Sequence, residues 1–200
     1  MKIRSLILFF FSALLISCNK VENTPGTQIV DISTGFTMTV PSRFKKLNNE
    51  TKKEQLQRGK NQLNKLHEKE LQFDSSLERA KMFQYDGDNL FLLNTKNYDI
   101  SSQGNYDEAI KELNQFAYQT QSLNFPTARI DSSTSKETID GVKFIKYILN
   151  AKISENKTMH LINYYHLFGN NADFTASIVF TDEELGKEIL KAFKASKFKK

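Results

Sequence analysis

Segment 142–153 constrains the fold most, because it offers almost no polar surface on either side of an extended chain. If the segment is a strand, alternate side chains point to opposite faces. One face then carries Ile145, Tyr147, Leu149 and Ala151, and the other carries Val142, Phe144 and Ile148. A strand that is apolar on both faces is typical of a sheet covered on both sides. We therefore expect a central strand between two helical layers.

Several other segments show the period-two alternation of strands. Residues 36–40 alternate apolar side chains with threonine and precede Pro41, which cannot donate a ladder hydrogen bond and ends the strand. A short strand at 29–33 would pair with this one through the turn at Thr34-Gly35. Further extended segments are predicted at 82–85, 90–95, 158–168, 172–180 and, with a polar composition, 127–138.

Three helices complete the pattern. The polar segment 49–71 carries leucines at helical spacing, and residues 105–108 and 181–184 each resemble a capping box that starts a helix. The first box precedes a face made of Ala109, Ile110, Leu113, Phe116, Ala117 and Thr120, and the second precedes Leu185, Ile189, Ala192 and Phe193. The predicted fold class is α+β, with an antiparallel β-sheet of about six or more strands flanked by helices on both faces, an α/β/α sandwich.

Composition and glycine spacing exclude several common classes of protein. The 39% hydrophobic and 12% aromatic residues are too many for a wholly disordered chain, and 26% charged residues are too many for a multispanning membrane protein. No two of the eight glycines are closer than nine positions, which excludes GxGxxG and Walker-type phosphate loops. The single cysteine excludes an intramolecular disulfide.

Residues with metal-binding chemistry do not form a recognisable motif. His67 and Glu68 begin an HExxH-like string, but Leu71 stands where the second histidine would be, so we expect surface charge there. His160 and His166 are roughly 20 Å apart along one strand, too far to chelate one ion, and are expected to be structural.

The acidic pair Asp86 and Asp88 falls between two predicted strands, where a hairpin turn explains both residues better than a calcium loop does. No G-x-S-x-G elbow is present. The sequence therefore predicts no catalytic residue, no metal ligand and no cofactor.

Residues 1–17 have the organisation of a bacterial lipoprotein signal peptide. Lys2 and Arg4 form a basic start, and residues 6–16 form an apolar stretch broken only by Ser12. Eleven residues rise about 16 Å as a helix, roughly half the thickness of the hydrocarbon core, so the stretch is too short for a membrane span.

The quartet Leu15, Ile16, Ser17 and Cys18 resembles the lipobox of bacterial lipoproteins. We expect cleavage before Cys18 and attachment of a diacylglyceryl anchor to its sulfur, with Leu15, Ile16 and Ser17 as the cleavage context. Two acyl chains hold a protein stably on a membrane. The alternative is an ordinary secretory signal with a free cysteine nearby.

The mature chain is predicted to consist of a polar tether at 18–27 and one domain at 28–200. Removal of residues 1–17 leaves 26 basic and 23 acidic residues, a net charge of +3 that is too weak to indicate nucleic acid. Asn19 follows the cysteine, and lipoprotein sorting resembles a rule in which Asp at this place retains the protein in the inner membrane. We therefore expect the cell envelope, and the outer membrane rather than the inner one.

Three features of the sequence resemble PsbP-type domains, the Mog/PsbP-type fold. They are the strand and proline at 35–42, the Gly141 turn into a long strand, and the final amphipathic helix that ends at 196–198. The resemblance covers about residues 28–199 and implies an antiparallel sheet between helical layers. It also implies a non-enzymatic protein, because members act as accessory subunits, assembly factors or chaperones and share no common catalytic residue.

Two classes of function remain open. The first is a membrane-anchored, non-catalytic accessory, assembly or interaction module that binds a protein partner near the bilayer. The alternative is an envelope carrier or chaperone that binds an apolar ligand or hydrophobic peptide segment. An apolar cavity of several hundred Å³ would favour the carrier, and a filled core with an exposed apolar patch would favour the module. An enzyme, the third possibility, would need converging ionisable groups.

Cys18→Ala is expected to leave an unprocessed precursor without lipid, because acylation requires the thiol. Radioactive palmitate should label the wild-type chain and not the variant when equal amounts of the two chains are compared on a blot. Normal labelling of the variant would refute the anchor.

Overall fold

A computed structural model describes residues 26–71 and 75–199. The elements follow one another as β1 (Thr27–Asp31), β2 (Phe36–Val40), β3 (Lys45–Lys46), α1 (Asn49–Leu66), β4 (Lys81–Gln84), β5 (Leu90–Asn97), α2 (Ile100–Gln103), α3 (Tyr106–Asn124), β6 (Arg129–Ile139), β7 (Val142–Ser154), β8 (Lys157–Leu167), β9 (Ala172–Phe180), α4 (Glu183–Lys194) and β10 (Lys197–Phe198). A 3₁₀ turn at Ser75–Arg79 precedes β4.

The larger sheet has seven antiparallel strands in the order β3-β4-β5-β9-β8-β7-β6. The segment with two apolar faces is β7, which lies between β6 and β8, one strand from the edge rather than at the centre. The polar stretch after α3 is the edge strand β6, and it pairs with β7 from Arg129 opposite Lys152 to Ile139 opposite Val142. An edge strand has a single neighbour, which is why a polar sequence can form it.

The first hairpin and the last strand form a separate three-stranded sheet in the order β1-β2-β10. The hairpin of β1 and β2 is the one predicted, with Asp31 opposite Phe36. Phe198 of β10 also lies opposite Phe36. The Phe198 N–H donates to the carboxylate of Asp140, 2.8 Å away, in the turn between β6 and β7. The last strand thus joins the small sheet to the large one.

One face of the large sheet packs against α4 and the small sheet. Aromatic rings dominate this contact: the ring centroids are 5.1 Å apart for Phe36 and Phe174 and 5.5 Å apart for Phe144 and Phe198. Phe193 of α4 is fully buried among them. Tilted rings at these separations attract one another beyond the burial of their area.

The opposite face of the large sheet packs against α3, and α1 lies against α3 in turn. Ile110 of α3 belongs to a buried cluster with Tyr147, Leu149, Ala151 and Tyr165. Helices on both faces confirm the predicted α/β/α sandwich. The expected burial of Leu113 is wrong, since this side chain is 46% exposed and its neighbour Asn114 takes the inward position.

Helix α4 starts one residue later than the predicted capping box. The N-cap is Asp182 rather than Thr181, and its carboxylate accepts hydrogen bonds from the backbone N–H groups of Glu184 and Leu185 at 2.9 and 3.0 Å. A carboxylate at this position also interacts favourably with the positive end of the helix dipole.

Helix α1 ends at Leu66 rather than at the predicted residue 71. The N–H of His67 still donates to the Leu63 carbonyl, but the next residue, Glu68, has a left-handed φ of 51° that the helix cannot continue through.

Within residues 26–71 and 75–199, no helix combines the length and the hydropathy that a membrane crossing needs. The predicted signal peptide at 1–17 and the predicted lipidation site at Cys18 lie outside the described residues and stay predictions. The description begins at Gly26, directly before β1.

The turn between β6 and β7 consists of Asp140 and Gly141, with φ values of 48° and 82°. Two successive positive φ values define the type I′ turn, whose twist matches that of the strands it joins. A Cβ atom added at Gly141 would meet no heavy atom within 4 Å. Gly141 has the positive φ that this turn requires, and a side chain there would act through the backbone alone.

Gly141→Val should lower the free energy of unfolding by about 1–2 kcal/mol, because a β-branched residue is disfavoured in the left-handed region. Gly141→Asn is the matched control and should lose much less, since Asn adopts positive φ more readily. Urea denaturation measures both variants. Equal losses would show that side-chain size, not backbone conformation, sets the cost.

Candidate binding groove

A groove of about 700 Å³ lies between α3 and the β6–β7 pair. Its floor is apolar and includes Ile110, Ile145 and Tyr147. Its rim is polar and includes Asp107, Lys111, Gln115, Ser132, Thr134 and Lys136. The groove is open to solvent, and its volume falls in the range of known ligand pockets, about 300–1,000 Å³.

The pairing of β6 with β7 determines which side chains form the floor and one wall of this groove. Thr134 of β6 lies opposite Tyr147 of β7, and Lys136 lies opposite Ile145, so these four side chains share one face of the sheet. Helix α3 passes over this face. Because Ser132 and Thr134 are short, they leave space beside the helix that larger side chains would fill.

Asn114 is the buried polar residue at the base of the groove. Its side chain is 6% exposed, it lines the groove, and its amide oxygen has no hydrogen-bond partner in the part of the chain that the structure describes. Buried polar atoms are nearly always paired, so each exception needs an explanation. A donor group of a molecule bound in the groove is a partner that this amide can take.

Burial raises the pKa of three phenols, one in the groove and two nearby. This holds for Tyr147, whose hydroxyl has no hydrogen-bond partner among the described residues and where the nearby Ser132 side chain acts in the opposite direction. Burial also raises the pKa of Tyr165 and of Tyr106, where Asp173 adds to the effect. These phenols stay protonated at neutral pH, so they offer hydrogen bonds rather than general bases.

A buried hydrogen bond fixes the first turn of α3 on the sheet. The Tyr106 hydroxyl donates to the Asp173 carboxylate of β9 at 2.7 Å, and Asp173 is 6% exposed. The Lys96 ammonium lies 3.9 Å from the same carboxylate. The helix that forms one wall of the groove is therefore held in place at its start.

A smaller hollow of about 310 Å³ adjoins the groove and shares Asp107, Lys136 and Ile145 with it. His166 lies in this hollow. Burial lowers the pKa of His166, although the hydrogen bond between its Nδ1 and the Lys143 carbonyl, 2.9 Å long, raises it. The lowered pKa favours a neutral imidazole.

His67, expected to be surface charge, is instead a packing residue between two helices. Its Nε2 lies 2.9 Å from Oγ1 of Thr120, and its ring stacks on Phe116 at 4.7 Å. The expectation is wrong because α1 ends at this point and leaves the ring against α3.

The other polar residues singled out in the sequence have local partners. His160 contacts Asn150 at 2.8 Å and Glu183 at 3.1 Å. Asp86 accepts hydrogen bonds from the backbone of its own turn, and Asp88 pairs with Lys157. In the described part of the chain, no three His, Cys, Asp or Glu side chains come close enough to hold a metal ion.

Sequence reasoning missed the groove. The predicted site residues, Leu15, Ile16, Ser17 and Cys18, all lie outside the described residues. Two signals were present: a polar Asn114 at helical spacing from Ile110 and Ala117, and short hydroxyl residues spaced by two along β6. Neither signal reveals a groove until the pairing of β6 with β7 is known.

Comparison with solved structures places the fold. The solution structure of the cyanobacterial PsbP (CyanoP) of Synechocystis sp. PCC 6803 aligns with 92% of this chain and 99% of its own, with a TM-score of 0.50 and 8% identity. The Ran-binding protein Mog1p of Saccharomyces cerevisiae aligns with 83% of this chain and 93% of its own, with a TM-score of 0.42 and 10% identity. Neither a family model nor a curated protein matches the sequence. The chain thus has a PsbP-like fold, as the resemblance implied.

Asn114→Leu should change the free energy of unfolding by less than about 1 kcal/mol, because the amide oxygen loses no partner in the folded chain. Asn89→Leu is the matched control. Asn89 is also buried, but it accepts hydrogen bonds from the N–H groups of Thr181 and Asp182 and donates to Asp86. Its loss should cost about 3 kcal/mol in urea denaturation. A similar cost at both positions would show that Asn114 holds the fold together.

Proposed function

We propose that this protein is a lipid-anchored, non-catalytic accessory module of a bacterial cell envelope that binds a partner protein in the groove between α3 and the β6–β7 pair. The observation that carries the proposal is the groove itself, with its apolar floor and, at its base, the buried Asn114 amide oxygen that has no hydrogen-bond partner among the described residues. The PsbP-like fold supports an accessory role, as the resemblance to PsbP-type domains implies.

The partner supplies an extended segment with apolar side chains. Among the described strands, β6 pairs only with β7, so its outer backbone groups face away from the sheet and can pair with an added strand. The floor at Ile145 and Tyr147 takes apolar side chains. The rim carries Lys111 and Lys136 against Asp107, which favours an acidic residue beside the apolar ones.

The polar groups of the groove are those of a recognition site. The Asn114 amide and the protonated Tyr147 hydroxyl can orient a bound segment by hydrogen bonds, and the apolar floor supplies burial. The anchor at Cys18 would hold this groove near the bilayer, where an envelope partner is available at high local concentration.

A photo-crosslinking residue at the groove rim tests the proposal in the native envelope. Tyr118, which lines the groove and is 39% exposed, is replaced by benzoylphenylalanine. Tyr85 is the matched control, an aromatic residue of the β4–β5 turn that is 51% exposed and does not line the groove. We expect a discrete protein adduct from position 118 and not from position 85.

The adduct must also depend on the chemistry of the groove. Asn114→Leu in the Tyr118 variant should reduce the adduct about 5- to 10-fold, the loss expected from one buried hydrogen bond. An adduct of unchanged yield, or the same adduct from position 85, would overturn the proposal. An adduct with a lipid or another small apolar molecule would instead support the alternative, an envelope carrier.

A further inference from the structure

The turn between β1 and β2 presents the most exposed large apolar side chain among the described residues. Ile32 is 93% exposed, and Val30 at the end of β1 is 50% exposed. We call residues 30–35 the hairpin tip. The half-buried Phe168 and the exposed Lys199 line an open hollow beside it. An aliphatic side chain that is exposed to water contributes no burial to the stability of the fold. Its exposure therefore indicates a surface that contacts something else.

Several polar groups of the hairpin tip have hydrogen-bond partners within the protein. The Asp31 carboxylate accepts hydrogen bonds from the N–H and the hydroxyl of Ser33, at 3.0 and 2.5 Å, and from the N–H of Thr34 at 3.3 Å. The amide of Asn170 donates to the Ser33 carbonyl at 2.8 Å. Such a tip can enter a less polar medium without abandoning many hydrogen bonds to water.

The hairpin tip is also held rigidly. Gly35 has a φ of 67°, and its carbonyl accepts a hydrogen bond from the Lys199 N–H at 3.0 Å. A Cβ atom at Gly35 would lie 2.4 Å from the Lys199 carbonyl oxygen, so the close approach of these two segments requires glycine. Ile32 is thus presented on a fixed turn.

Basic residues surround the hairpin tip. Lys81 donates to the Val30 carbonyl at 2.6 Å, Lys199 lines the hollow, and Arg79 lies with Ser33 in a neighbouring hollow. Asp31 is the acid within the tip; burial acts to raise its pKa, but hydrogen bonds, foremost from Ser33, and the charge of Lys81 hold it below its ordinary value. Three bases against one acid around an apolar side chain suit the headgroup region of an anionic bilayer.

The chain before β1 is long enough to let the hairpin tip reach a membrane that holds Cys18. Eight residue steps separate Cys18 from Gly26, a maximum reach of about 28 Å. The five residues of β1 carry the chain about 17 Å from there to the tip. The reach of the segment before β1 therefore exceeds the distance from Gly26 to the tip.

We propose that the hairpin tip inserts Ile32 into the headgroup region of the bilayer and so gives the domain a fixed orientation on the membrane. This inference rests on the lipid anchor proposed above. The anchor makes the contact intramolecular, so that a tip with one inserted side chain suffices. The groove lies on the face of the large sheet opposite the one that packs against the hairpin, and the tip contact would leave it open to partners.

Site-specific fluorescence in vesicles tests the proposal. The processed protein is purified from membranes, its acyl groups are verified by mass spectrometry, and it is reconstituted in phosphatidylethanolamine and phosphatidylglycerol vesicles. An environment-sensitive thiol dye is attached to Ile32→Cys. Glu155→Cys is the control, because Glu155 is exposed and lies in the turn before β8. The loop that contacts Ser33 follows the other end of β8. The wild-type chain should take up no dye if Cys18 is acylated.

Nitroxide-labelled lipid should quench the dye at position 32 several-fold more strongly than at position 155. Equal quenching at the two positions would overturn the bilayer contact. A dye at position 32 that is shielded from water in native membranes but not in pure lipid vesicles would also overturn it, because a protein partner would then cover the tip. An unacylated protein with a reactive Cys18 would refute the anchor alone. Flotation of that protein with the same vesicles, lost in Ile32→Asp, would still support the tip contact.

Discussion

Phe144 and Tyr147 of β7 point to opposite faces of the large sheet, and both side chains are buried. Each face therefore needs its own cover, because exposed aromatic surface of this size is costly in water. Helix α4 and the small sheet cover the side of Phe144, and α3 covers the side of Tyr147. The two-sided burial of one strand thus dictates a three-layer architecture, and the order of the remaining elements follows from it.

The groove lies beside α3, where the surface of the large sheet is not fully covered. Helix α3 covers β7, but the edge strand β6 extends the sheet with short hydroxyl side chains such as Ser132 and Thr134. The side chains of the protein leave the space beside α3 unfilled, so that space is available for binding. The amide oxygen of Asn114 at its base has no hydrogen-bond partner among the described residues, although a buried position usually carries an apolar side chain or a paired polar one.

The sequence was sufficient wherever a local pattern determines the structure. Alternation predicted β2, β8 and β9, capping residues predicted the starts of α3 and α4 to within a residue, and an Asp-Gly pair predicted the turn at Gly141. It failed where distant segments meet. The inward position of Asn114, the contact of His67 with α3 and the groove itself all depend on which strand lies beside which helix, and periodicity in one segment does not contain that information.

The small sheet joins the first and last strands of the described residues, since β2 pairs with β1 on one side and with β10 on the other. Phe36 therefore meets Phe198, its neighbour on β10, only after residue 198 has been made. A contact of such sequence separation is late and slow to form. The small sheet therefore stays a two-stranded hairpin until β10 joins it, and the ring contact between Phe36 and Phe198 is among the last that the core can make.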